Sequence, residues 1–61
     1  MVVVTAPTSE DIAVRAARYL WHNGVQAGVI PQGDGYVIEV PKRKRKSALM
    51  YLNFWTEDKA Q

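Results

Sequence analysis

The apolar positions change period along the chain, from an unbroken β-branched run, to a 3.6-residue spacing, to alternation, and back to a helical spacing. These changes predict five elements in the order strand, helix, strand, strand, helix. Residues 1–5, Met1-Val2-Val3-Val4-Thr5, read as a strand. Pro7-Thr8-Ser9-Glu10-Asp11 then opens a helix over residues 8–23, with Thr8 as the expected N-cap and two carboxylates at the positive end of the helix dipole. Ile12, Ala13, Ala16, Tyr19 and Leu20 share its inner face. Asn23-Gly24 ends it, with Gly24 in the left-handed conformation and Val25 packing back on Leu20.

Residues 25–32 set Val25, Ala27 and Val29 against Gln26, Gly28 and Ile30, as a half-buried strand does. Gly28 and Pro31 place that strand at a sheet edge. Gly33-Asp34-Gly35 supplies the turn, and residues 35–40 return with Tyr36, Ile38 and Val40 inward. The second helix follows Pro41 over residues 42–57, and its start within the basic run is left open. The tight hairpin puts the third strand in the middle of the sheet. A right-handed crossover through the first helix then gives an α+β fold, a βαββα two-layer sandwich with an antiparallel sheet of order 1-3-2 and both helices on one face.

This order resembles the small cytosolic N-terminal domain of bacterial rhomboid proteases. The features that carry the resemblance are the first strand, a helix ending in Tyr19-Leu20 and then Asn23-Gly24-Val25, the hairpin, and a closing aromatic helix. It implies the fold and no protease activity.

At 61 residues the chain makes one domain. Such a chain buries only about 60% of the surface it exposes when unfolded, so its own core is marginal. There are no cysteines, which excludes disulfides and thiolate metal sites and fits a reducing compartment. Self-association or a partner therefore gains weight. No apolar run approaches the roughly 18 residues that span a bilayer, and the start lacks a basic n-region, so a cytoplasmic protein is expected.

The residues offer little for catalysis. His22 is the one histidine and falls in the last turn of the first helix, where the dipole favours it on the surface. Ser9 and Ser47 stand at helix starts, and capping accounts for both. Glu10-Asp11 and Glu57-Asp58 are adjacent pairs whose side chains diverge by about 100° on a helix. One histidine without cysteine does not make a zinc site, and Gly33-Asp34-Gly35 is too short for a phosphate loop. A non-enzyme without cofactor or metal is the expectation.

Binding is better represented. Lys42, Arg43, Lys44, Arg45 and Lys46 hold five of the eight basic residues, leaving three against six acidic ones elsewhere, or −3. The run reads as an electrostatic handle for phosphates or an acidic protein surface, or else as a solvated loop. In the second helix, a core stripe of Ala48, Tyr51, Leu52 and Trp55 leaves Met50 and Phe54 on the far side, either for another chain or for the domain margin. In the first helix Val14 and Trp21 likewise stand away from the core stripe, one i,i+7 step apart, and Arg15 and Arg18 are candidates to extend the basic patch. On the uncovered sheet face, Val3, Ile30 and Val37 are expected to form a modest apolar patch beside Glu39, and the first strand's edge is free to pair. Two functions are expected from these features. The first is a protein-interaction module, a regulator or inhibitor that also self-associates as a homo-oligomer. The alternative is a nucleic-acid-binding protein using residues 42–46.

Overall fold

The computed structural model describes residues 1–55. Its elements are β1 (Val2–Val3), α1 (Glu10–His22), β2 (Gly28–Gln32), β3 (Gly35–Val40) and α2 (Arg45–Phe54), the last entered through a one-turn 3-10 helix at Lys42–Lys44. The sheet is antiparallel with order β1-β3-β2, and residues of both helices join one cluster on one sheet face. The α+β sandwich of order 1-3-2 is therefore the fold. Extents of 27 × 26 × 15 Å give a slab one sheet and one helix layer thick.

β1 is shorter than residues 1–5. Val2 and Val3 pair with Val40 and Glu39, and the Val4 N–H still donates to the Ile38 carbonyl at 2.9 Å. The Ile38 N–H then donates to Thr5 Oγ1 at 3.0 Å, so a side chain takes the place of the next backbone acceptor and the ladder stops. Two residues on, Thr8 exchanges two backbone hydrogen bonds with Tyr36, at 2.9 and 2.8 Å. Thr8 is thus tied to the sheet, and the cap falls to the next residue. Ser9 Oγ accepts the Ile12 N–H at 3.3 Å and the helix starts at Glu10, which corrects the expected Thr8 cap.

The other end of α1 follows expectation. Gly24 has φ +82°, the Val25 N–H donates to the Leu20 carbonyl at 2.9 Å, and the Gly24 N–H donates to that of Trp21 at 3.0 Å. This is the Schellman arrangement, and it folds Val25 onto Leu20, both buried. Residues 25–27 form a connection rather than the start of a strand, although Val25 and Ala27 still point inward. Gln32 pairs with Gly35 across the two-residue turn Gly33–Asp34, whose first residue has φ +61°.

Ten hydrophobic residues are buried, and five of them are alanines: Ala13, Ala16, Ala17, Ala27 and Ala48. Ala17 was not expected there. Ile12 and Tyr19 are only half-buried because the inner stripe is turned towards Ala17, leaving those two facing α2. Val37 also departs from expectation. It lies on the face opposite Ile38 yet has 0% exposure, on the central strand with Ile30 as its partner across the β2 ladder. The expected sheet-face patch therefore reduces to Val3 and the half-buried Ile30. α2 ends at Phe54 rather than residue 57. Trp55 is extended (φ −89°, ψ 129°) and packs on the core, and residues 56 and 57 lie outside the described residues.

Thr5 Oγ1 carries a testable consequence. Thr5→Val keeps the shape but leaves the part-buried Ile38 N–H without its acceptor, and is expected to lower unfolding free energy by about 1–3 kcal/mol in urea titration. Thr5→Ser keeps the acceptor and should lose far less.

Candidate functional site

The basic run is built by the entry into α2. Pro41 has extended backbone and cannot donate, so the chain turns only after it, with the Lys44 N–H donating to the Pro41 carbonyl at 2.8 Å. Lys42–Lys44 form the 3-10 turn, and Arg45 and Lys46 are the first residues of α2. No side chain caps that helix, and its first turn holds no acid. Ser47, expected as a cap, is the third helical residue, and Lys44 occupies the cap position. Four of the five cations are exposed and Lys44 is half-buried. Among the described residues the one ion pair is Arg15–Asp11 at 2.6 Å, so none of the five has a carboxylate partner there. Arg15 is thereby engaged on α1 and does not extend the basic patch.

The outward face of α2 is apolar. Met50 is 51% exposed and Phe54 67%, and Leu49, which periodicity alone did not single out, joins them at 40%. Lys46 lies one helical turn before Met50 and Phe54 one turn after it, so charge grades into hydrocarbon along one face. The inner face holds Ala48 at 0% exposure with Tyr51, Leu52 and Trp55 packed on the core.

α1 carries a second, separate surface. Val14 and Arg18 are exposed, as is Trp21 at 55%. The indole Nε1–H of Trp21 donates to the Ala27 carbonyl at 2.7 Å, which fixes the ring beside the chain leading into β2. On the opposite flank of α1, Tyr19 meets Tyr51 of α2 edge to face, with centroids 6.4 Å apart, and Ile12 lines a groove with Leu52 and Trp55. Val14, Arg18 and Trp21 thus look away from α2. The structure does not gather the candidate residues of the two helices into one site.

The remaining polar groups do not converge. Ser9 caps α1 and His22 is exposed at its other end, about 20 Å away by helical rise. Among the described residues no three His, Cys, Asp or Glu side chains cluster as metal ligands would. The groove under Leu52 and Trp55, about 270 Å³, is lined mainly by apolar side chains. Among the described residues no helix is long and apolar enough to cross a membrane. No family model, curated protein or solved structure matches the chain.

Cations in the first turn of α2 oppose the helix dipole and repel one another. Lys46→Glu is therefore expected to stabilise the fold by roughly 0.3–1 kcal/mol at low salt. Thermal unfolding at low and high salt checks this, and the gain should shrink as screening rises.

Proposed function

We propose that the protein is a non-enzymatic interaction module that docks the outer face of α2 into an apolar groove rimmed by carboxylates on a partner protein. It acts on that partner as a regulator or inhibitor by occupying the groove. The observation that carries this reading is the exchange of large and small side chains between inside and outside. Alanines fill half of the buried positions, while Phe54, Met50 and Leu49 face solvent on α2. A chain this short has few large apolar residues, and placing three of them outward on one helix gives up core stability. A helix presenting apolar groups at four-residue spacing is a common form of helix-in-groove recognition. The adjoining cations, which have no carboxylate partner among the described residues, fit an acidic rim, which speeds encounter and fixes the direction in which the helix lies.

The basic turn also favours a second reading, nucleic-acid binding. The aromatics weigh against it. Stacking rings usually lie within the charged groove, whereas Tyr51 is half-buried against Tyr19, Trp55 packs on the core and Trp21 lies on the other flank.

Affinity capture from nuclease-treated extract separates the two. A protein partner should survive nuclease and be lost with Phe54→Glu or Met50→Glu, each expected to weaken binding by about 2 kcal/mol or more, in the range of interface anchors. Changing residues 42–46 to Gln should slow association and remove most of its salt dependence. Capture indifferent to both helix variants, or abolished by nuclease, would sink the docking model.

A further inference from the structure

The outward strip of α1 has an internal order that the outer face of α2 lacks. Glu10, Val14 and Arg18 follow one another at four-residue intervals, so they share one side of the helix. Trp21 closes the strip seven residues after Val14. All four are exposed. The one ion pair among the described residues, Arg15–Asp11, uses neither Glu10 nor Arg18. Charge along the strip is therefore antisymmetric about Val14, with an acid one turn before it and a base one turn after it, neither ion-paired among the described residues.

An isologous interface requires a surface complementary to itself under a twofold rotation, and this strip meets that condition in one orientation only. Antiparallel packing about Val14 sets Glu10 of each copy against Arg18 of the other and Val14 on Val14. Parallel packing would oppose Glu10 to Glu10 and Arg18 to Arg18. Trp21 enters such a contact already ordered, because its Nε1–H is held by the Ala27 carbonyl, so little rotamer freedom is lost on association.

We infer that this strip binds a second copy of the chain, forming a twofold dimer through antiparallel α1 helices with Glu10 paired to Arg18 twice. The contact is independent of the one proposed for α2, which lies on the other flank.

Sedimentation equilibrium of the purified protein over a concentration series at low salt tests it, with far-UV circular dichroism confirming that each variant is folded. The wild type should dimerise with concentration. Arg18→Glu alone and Glu10→Arg alone should each raise the dimer dissociation constant by roughly tenfold or more. The double reversal E10R/R18E should bring it back to within about threefold of wild type, since the charges again complement each other. Should a reversal fail to fold, Glu10→Gln and Arg18→Gln keep the measurement available, each weakening the dimer by roughly threefold. Phe54→Glu should leave dimerisation unchanged, which keeps this result distinct from the fate of the α2 reading. A monomer at every concentration, a folded double reversal without rescue, or a dimer lost with Phe54→Glu would overturn the inference.

Discussion

Close approach of two helices to one face of a three-stranded sheet depends on small side chains at the seam. Ala13, Ala16 and Ala17 of α1 and Ala48 of α2 are buried there, together with Leu20 and, from β3, Ile38 and Val40. An alanine methyl fills little space, so the layers settle near one another and the slab stays thin. The consequence is a core with modest apolar area, because each missing methylene forgoes about 0.8 kcal/mol of burial. Larger side chains are placed around this seam rather than in it. Tyr36, Tyr51 and Trp55 pack half-buried at its margins, and Trp21, Met50 and Phe54 lie outside. The distribution that motivates an interaction role is thus the other side of the packing solution that makes the fold.

Charge follows the same division. The body of the chain is mildly acidic by count, while the entrance to α2 gathers five cations at the helix end where the dipole is least favourable to them. Pro41 sets where the turn begins, and the 3-10 geometry of Lys42–Lys44 spreads the first three cations around the axis instead of stacking them on one face. Spreading reduces their mutual repulsion without supplying partners. An arrangement that local electrostatics disfavour is one that binding can compensate.

Much of the architecture was legible because its signals are local. The Asn23-Gly24-Val25 closure, the edge character of β2 and the Gly33–Asp34 turn each follow from backbone preferences of the residues present. The misplaced elements were decided by contacts far along the chain. Thr8 and Ser9 are comparable caps in isolation, and Thr8 is removed from the role by its pairing with Tyr36. Ala17 and Val37 look like surface positions until the rotation of α1 and the central place of β3 are known. The surfaces were legible in part. Periodicity finds Met50, Phe54, Val14 and Trp21 as apolar residues outside the core stripes, but it does not say that α2 packs against the Tyr19 flank and so separates the two groups. Leu49 escaped because it borders the inner stripe of α2 in sequence order.

The two outward faces differ in how their charge is distributed. The surface at the start of α2 carries charge of one sign, so its charge is complementary to an acidic surface rather than to itself. In the docking proposed for that face, the partner supplies the opposite charge. The strip on α1 carries one acid and one base placed evenly about Val14, so its net charge is zero and its own image is its complement. Because α2 leans on the opposite flank of α1, closing one contact leaves the other open. A dimer built through α1 would therefore present two basic, apolar α2 faces at once, raising the effective concentration of the second site for any partner that is itself repeated.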